Sequence, residues 1–258
     1  MKITVTHIGT ATTLLEIGGL LLLTDPAFDP APAEYRRGPV VLRSTAGPVL
    51  SPTELPSFDA VLLSHDEHPD NLDATGRALL ADHPVFTTVS GAGRLGGQAV
   101  GLAPWETRTL TVGEHSLRIT GTPCQHGPVG DVTGYVIEVP GEEEAVYVSG
   151  DTVYFPELDE IGRRFTIGTA VLHLGAARVT GFGDDLITMD GAQAAALTRS
   201  LGARRVVPVH YTSWEHFTEG RAEVDARFAE AGLADRLHWL TPGLPELVGG
   251  DTVRPVSS

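Results

Sequence analysis

The chain has 258 residues, of which 41% are hydrophobic and 20% charged, so it has enough apolar material to fold around a buried core. Its 33 acidic residues outnumber its 18 basic ones, and the net charge of −15 would repel nucleic-acid backbones and anionic lipid surfaces. The single cysteine, Cys124, excludes an internal disulfide framework. We expect one globular domain over residues 1–258, with no nucleic-acid or membrane partner.

Short apolar or alternating runs separated by turn residues predict strands along the first half of the chain. These runs are Lys2–Thr6, Thr12–Ile17, Leu20–Thr24, Ala60–Ser64, Val85–Thr88, Arg108–Val112 and Ser116–Thr120. A helical pattern follows the Ser64–Asn71 segment and stops at His83-Pro84, since proline disfavours a helical residue before it.

The run Leu20–Leu23 is too short for a membrane span or a signal peptide, which predicts a cytoplasmic protein.

The second half repeats this scheme. Strands are predicted at Thr133–Val139, Ala145–Ser149, Ala170–Leu174 and Val206–Val209, and helices near Asp190–Leu201 and Ala222–Gly232. Many strands interleaved with helices favour an α/β fold in which two mixed sheets face each other under outer helices, a four-layer αββα sandwich. The Pro-rich Pro26–Pro56 and the Gly-rich Gly175–Asp185 lack a regular pattern, and such long loops are either mobile surface or part of a functional site.

Four predicted strands run directly into potential metal ligands. Ala60–Ser64 leads to His65–Asn71, and the other three strands lead to His126, Asp151 and His210. Because sites form where the carboxyl ends of strands converge, these segments point to one place. A lone histidine at a strand end is usually an ordinary hydrogen-bonding residue, and acids in a turn can simply begin a helix. Neither interpretation explains four segments together.

Imidazole and carboxylate groups are ligands of Zn²⁺ and of borderline metals such as Fe²⁺ and Mn²⁺. The candidate set exceeds what one tetrahedral ion needs, which favours two ions. The candidate metal ligands are His65, His68, Asp70, His126, Asp151 and His210.

In its motifs and their order the sequence resembles the metallo-β-lactamase superfamily, especially its lactonase-like and N-acyl-phosphatidylethanolamine phospholipase D-like branch. The motifs are Gly9-Thr10-Ala11-Thr12, Leu23-Thr24-Asp25-Pro26, Ser64–Asp73, Thr122-Pro123-Cys124-Gln125-His126, Ser149-Gly150-Asp151-Thr152 and Val207-Pro208-Val209-His210. The resemblance covers essentially the whole chain. It implies an αββα fold, a mono- or dinuclear metal centre between two sheets, and a metal-bound hydroxide as nucleophile.

The first motif departs from the family pattern. His-x-His-x-Asp-His becomes His65-Asp66-Glu67-His68-Pro69-Asp70-Asn71, with one residue inserted and the last histidine replaced by Asn71. Either His68 or Glu67 can take the place of the second histidine. We favour His68, because a turn places residues three apart on one side.

The resemblance also implies how the ligands divide. It gives His65, His68 and His126 to a first metal, makes Asp151 a bridge, and gives Asp70 and His210 to a second metal. Asn71 would be at best a neutral amide ligand, so the second site would bind weakly or prefer Mn²⁺ or Fe²⁺ over Zn²⁺.

Asp70, already a candidate ligand, and two further residues are candidates for catalysis. Asp70 would orient the attacking water or accept its proton, and His173 and His216 would be proton donors or substrate contacts unless they are ordinary polar filling. Arg36 and Arg37 would bind an anionic substrate or form a solvated face. Cys124 fits a small buried apolar residue better than a ligand.

Together these features predict a hydrolase that acts on an ester-like bond of a small-molecule substrate, a lactone or a phosphodiester first of all, with one or two Zn²⁺ ions or with Mn²⁺ or Fe²⁺. Two alternatives remain open, namely a metal-binding protein without turnover and an iron-dependent oxidoreductase on the same fold. The sequence leaves the substrate, the physiological metal and the oligomeric state undetermined.

Overall fold

The strands of this computed structural model, which describes residues 1–38, 40–127, 130–179, 183 and 185–249, form two large sheets and a separate hairpin. The first sheet contains β1 (Lys2–Gly9), β2 (Thr12–Ile17), β3 (Leu20–Thr24), β6 (Ala60–Leu62), β7 (Val85–Thr87), β8 (Ala99–Gly101) and β15 (Glu246–Gly249). Their order is β15-β1-β2-β3-β6-β7-β8, and the pairs from β3 to β8 are parallel.

The second sheet contains β9 (Thr107–Val112), β10 (His115–Thr122), β11 (Gly134–Glu138), β12 (Ala145–Val148), β13 (Ile167–His173) and β14 (Arg205–Val209). Its order is β14-β13-β12-β11-β10-β9. The neighbours β12, β13 and β14 are parallel, so their carboxyl ends lie at the same edge. The hairpin consists of β4 (Ala33–Arg37) and β5 (Val40–Ser44).

The described part of the chain contains five α-helices: α1 (Ala74–Ala78), α2 (Val89–Leu95), α3 (Asp159–Arg164), α4 (Gly191–Leu201) and α5 (Arg221–Glu230). Asp190 begins α4 by accepting a hydrogen bond from the backbone of Gln193, and Gly202 ends it in the left-handed conformation that glycine adopts without strain. Helix α4 packs on α3, α5 and β13, whereas α2 packs on β7 and β8.

Apolar side chains fill three spaces between these layers. Leu15 and Leu22 of the first sheet meet Ile119 and Val207 of the second in the central core. Leu172 packs with Leu197 and Phe228 beneath the helices of the second sheet, and a further cluster lies on the outer face of the first sheet. The αββα prediction is therefore confirmed.

All eleven predicted strands and the three predicted helices have counterparts within a few residues. The hairpin of β4 and β5 lies inside the segment predicted to be irregular, because charged and proline residues obscure its alternation. Gly175–Asp185 contains no helix or strand among its described residues, while Thr180, Gly181, Phe182 and Asp184 lie outside them. Within the described ranges, no helix is long and apolar enough to cross a membrane.

Candidate metal centre

Each predicted strand-end ligand follows its strand into the space where the two sheets meet. His65 follows β6 of the first sheet, and Asp151 and His210 follow β12 and β14 of the second. All three are at most 1% exposed. Their donor atoms form two groups, and within each group the atoms lie within 4.8 Å of one another. The imidazole group is His65, His68, His126 and Asp151, and the carboxylate group is Asp70, Asp151 and His210.

In the imidazole group three ring nitrogens face one another. Nε2 of His65 lies 2.9 Å from Nδ1 of His68, and Nε2 of His126 lies 3.2 Å from the same atom. The carboxylate of Asp151 approaches from the other side, with Oδ2 at 3.9 Å from Nε2 of His126. Three histidines from two separate segments of the chain thus present their nitrogens to one point.

In the carboxylate group one histidine faces two acids. Nε2 of His210 lies 3.3 Å from Oδ2 of Asp70 and 3.5 Å from Oδ2 of Asp151. Although both oxygens are near, this buried nitrogen makes no well-aligned hydrogen bond among the described residues. A buried nitrogen that lies close to two carboxylates without a hydrogen bond to either is what a site for a cation would show.

The spacing of the donor atoms fits a transition metal. Ligand nitrogens at about 2.0–2.1 Å from a tetrahedral Zn²⁺ lie about 3.3 Å from one another. The separations of 2.9, 3.2, 3.3 and 3.5 Å are of this size. The residues present therefore fit a metal in both groups.

The protonation states of the imidazole group suit metal binding as well. Burial holds the pKa of His65 well below its usual range, lowers that of His68 to about 4, and lowers that of His126. Neutral rings keep a lone pair available for a metal.

The carboxylate group has the opposite electrostatics. Burial opposes ionisation, but the adjacent rings of His210 and His216 hold the pKa of Asp70 well below its usual value. Burial also lowers the pKa of His210, but the charges of Asp151 and Asp70 outweigh it and raise that pKa to about 9. The group therefore favours a positive charge at its centre, a proton or a metal ion.

Backbone carbonyls orient two of the rings. Nδ1 of His126 donates to the carbonyl of Ile187 at 2.6 Å, and Nδ1 of His210 donates to that of Leu174 at 3.3 Å. With the proton on Nδ1, a neutral ring presents the lone pair of Nε2 to the centre. Sequence reasoning did not find these carbonyls, because backbone groups leave no residue signature.

The structure separates the two candidates of the first motif. His68 presents Nδ1 to the imidazole group, whereas Glu67 Oε1 lies 2.9 Å from Nη2 of Arg94 and belongs to neither group. This arrangement supports His68 as the ligand of the first motif, which stays a prediction until metal binding by His68 and Glu67 variants is compared.

Asn71 is completely buried beside both groups. With its amide nitrogen toward the acids it donates to Oδ1 of Asp70 at 3.3 Å and Oδ2 of Asp151 at 3.2 Å, while its oxygen accepts from Ser64. The reverse orientation would leave the amide oxygen facing only carboxylate oxygens. Asn71 is thus a hydrogen-bond donor to the acids, and its oxygen points away from the carboxylate group.

The structure corrects the expected position of His173. This ring is completely buried and does not line the cavity, because His173 is the last residue of β13 and faces the first sheet. Its Nε2 lies 3.1 Å from Oδ2 of Asp25, and Asp25 Oδ1 accepts from the backbone of Ser64. His173 can therefore influence the reaction only through neighbouring residues. Asp25, which sequence reasoning left without a role, also follows a strand and could have been found by the same rule.

A cavity of about 990 Å³ opens onto the donor atoms. His68, Asp70, His126, Asp151 and His210 lie at its base, and His216 lines it beside Asp70, with Nε2 at 3.2 Å from Oδ2 of that acid. Arg36, Arg37 and Arg77 also line it. Cys124 lies near the site but outside both donor groups, and burial raises the pKa of its thiol.

Comparison with known proteins shows the family to which the chain belongs. The family described as "Beta-lactamase superfamily domain" matches residues 21–211. The chain belongs to the beta-lactamase superfamily. A UPF0173 metal-dependent hydrolase of Pyrobaculum aerophilum is 27% identical over 91% of this chain and 95% of its own, and one of Rubrobacter xylanophilus is 25% identical over 93% and 94%. The prediction of a metal-dependent hydrolase is thus confirmed at the level of the family.

Solved structures of low identity confirm the superfamily fold. An isothiocyanate hydrolase from Delia radicum gut bacteria matches with a TM-score of 0.81 and 24% identity, over 97% of this chain and 100% of that one. A metallo hydrolase from Ignicoccus hospitalis matches with a TM-score of 0.75, 24% identity and the same coverage.

Proposed function

We propose that this member of the beta-lactamase superfamily hydrolyses an ester-like bond of a small molecule, with a lactone as the first candidate and a phosphodiester as the second. The observation that carries the proposal is the cavity of about 990 Å³, which ends on the donor atoms of both groups. A volume of this size accommodates a small organic molecule whose reactive bond reaches the metal centre.

Zn²⁺ or a similar divalent ion, held by the two groups, would polarise the substrate oxygen and lower the pKa of water toward about 7. Asp70 has a carboxylate that stays ionised, so its oxygens accept a hydrogen bond from the attacking water and orient it. Water adds across the acyl carbon–oxygen bond, and a lactone ring opens to a hydroxy acid.

The cavity wall supports a neutral substrate over a charged one. Val40, Leu42, Val179 and Ile187 give the wall an apolar face. Two of the three arginines that line the cavity already have carboxylate neighbours, since Arg36 lies 2.6 Å from Glu34 and Arg77 lies 3.8 Å from Asp66. A phosphodiester would need cations that are free to pair with it, so a lactone ranks first.

The test is turnover on a panel of lactones with acyl chains of increasing length, phosphodiesters, thioesters and β-lactams. We expect the metal-loaded enzyme to open lactones, with kcat/KM rising with chain length because each buried CH₂ contributes about 0.8 kcal/mol. Removing metal with a chelator should abolish turnover, and adding Zn²⁺ or Mn²⁺ should restore it.

Leu42→Ala provides a matched control for the wall, since it removes apolar surface and no donor atom. It should raise KM for long-chain lactones more than for short ones and leave the metal content unchanged. Hydrolysis of phosphodiesters but not of lactones would show that the substrate is a phosphodiester, the second candidate. No turnover by the metal-loaded protein on any ester-like substrate would contradict it.

A further inference from the structure

The carboxylate group has fewer imidazoles than the imidazole group. It contains one histidine and two acids, and the position where the superfamily resemblance implies a second histidine is occupied by Asn71. The amide of Asn71 donates to Asp70 and Asp151, so its nitrogen cannot serve as a ligand and its oxygen points to Ser64. The sequence motif alone therefore leaves the second site one nitrogen donor short.

A second imidazole nevertheless lies beside this group. Nε2 of His216 is 3.2 Å from Oδ2 of Asp70, the same oxygen that lies 3.3 Å from Nε2 of His210. Both separations match the distance of about 3.3 Å between two ligands on one tetrahedral ion. The donors of Asp70, Asp151 and His210 lie within 4.8 Å of one another, and among the described residues His216 adjoins this set through Asp70 alone. The side chain of His216 is only 9% exposed.

The other nitrogen of this ring has no competing role among the described residues. Nδ1 of His216 is buried there without a hydrogen-bond partner. A histidine that served only as polar filling would have both of its nitrogens satisfied. Instead, the single polar contact of the ring is with an acid of the carboxylate group.

The loop after β14 fixes the ring in this position. His210 adopts a positive φ of 59° and Ser213 one of 80°, which turn the chain back toward the cavity. Nε1 of Trp214 donates to Thr10 at 3.0 Å, and the carbonyl of His216 accepts from the backbone of Arg178 at 3.0 Å. A ring held from both sides can act as a preorganised ligand.

We infer that His216 supplies the imidazole that Asn71 lacks, so that the second ion is held by Asp70, Asp151, His210 and His216. The inference rests on the proposed function only in that the centre holds metal. It replaces the motif histidine with one from a different loop, while Asn71 holds the two acids in place by hydrogen bonds.

The experiment compares metal binding by the wild type, His216→Gln, Asn71→His and the double variant Asn71→His/His216→Gln. Zn²⁺ affinity is measured for each ion by chelator competition, and Co²⁺ absorption spectra report the ligands. We expect the wild type to bind two ions. His216→Gln should weaken the looser ion at least about tenfold, the range seen when a site loses a supporting group, and leave the tighter ion unchanged.

The double variant provides the rescue. A histidine at position 71 should restore the affinity for the second ion in the His216→Gln background, because it returns the imidazole to the first motif. His238→Gln is the matched control, since this histidine contacts Glu246 and belongs to neither donor group, and it should bind both ions as the wild type does. Thermal unfolding of each metal-free variant verifies that it folds.

Unchanged affinity for both ions in His216→Gln would overturn the inference and leave His216 as a proton donor or substrate contact. Failure of the double variant to recover the second ion would also overturn it, since the loss would then come from the loop and not from a missing ligand. A wild type that binds only one ion at saturation would overturn the inference too. The proposed hydrolase function would not be affected by that result, because one ion in the imidazole group could support it.

Discussion

The two donor groups that meet at Asp151 differ in charge, and the difference indicates which metal is held more tightly. In the imidazole group, burial keeps the rings of His65, His68 and His126 neutral, so their lone pairs are ready before a metal arrives. In the carboxylate group, the acids raise the pKa of His210 to about 9, so a proton competes with the metal at neutral pH. We expect the imidazole group to bind its ion more tightly.

The largest effect should come from Asp151, the one residue that belongs to both groups. Asp151→Ala should remove both ions and reduce activity at least about a hundredfold. With metal at about a hundred times its Kd, a bound ion stabilises the fold by about 2.7 kcal/mol, so Tm measured in the presence of Zn²⁺ should fall as well. Metal content by elemental analysis and calorimetry measure both losses.

Asp235→Ala provides the control for this variant, because Asp235 is an exposed acid outside both groups. It should keep the metal content, activity and Tm of the wild type. Full metal content in Asp151→Ala would show that Asp151 does not bridge the two ions and that the two donor groups share no ligand.

The next largest effect separates the groups. His126→Ala should lose the tighter ion and nearly all activity, whereas His210→Ala should lose only the looser ion, because each histidine belongs to one group. Chelator competition on the two variants side by side measures which ion is lost. If both variants lost the same ion, the donors would form one site and the division into two groups would be wrong.

The two donor groups also differ in how much of each could be predicted from the sequence. The meeting of side chains that directly follow apolar strands could be predicted, as with the candidate ligands His65, Asp151 and His210, because parallel strands end at one edge of a sheet. His173, which we expected to be a proton donor or substrate contact, does not follow its strand: it is the last residue of β13, and its ring turns between the sheets toward Asp25. A shift of one residue along a strand reverses the face on which the side chain lies.

Other features depend on contacts between distant segments. The orientation of Asn71 is set by Asp70, Asp151 and Ser64, and no local pattern records it. The approach of His216 to Asp70 joins two residues that are 146 positions apart. The hairpin of β4 and β5 escaped prediction because its register is set by pairing across a turn and not by an apolar run.

The smallest effect concerns the first motif, where the sequence allowed two ligands and the structure supports one. His68→Ala should weaken the tighter ion by at least about tenfold, the lower end of the loss seen on damage to a metal site. Glu67→Ala should have a milder effect, because its carboxylate lies 2.9 Å from Arg94 and outside both groups. Zn²⁺ titration of the two variants, which differ by one position, measures the contrast.

Metal preference gives this prediction an independent readout. With His68 as ligand, the first ion has three imidazoles and one carboxylate, a set that suits Zn²⁺. With Glu67 in its place, the set would be two imidazoles and two carboxylates, a harder combination that favours Mn²⁺ or Fe²⁺. We therefore expect the tighter site of the wild type to prefer Zn²⁺ over Mn²⁺, and Glu67→Ala to keep that preference. Loss of the tight ion in Glu67→Ala together with its retention in His68→Ala would reverse the assignment, and a wild-type preference for Mn²⁺ should then accompany it.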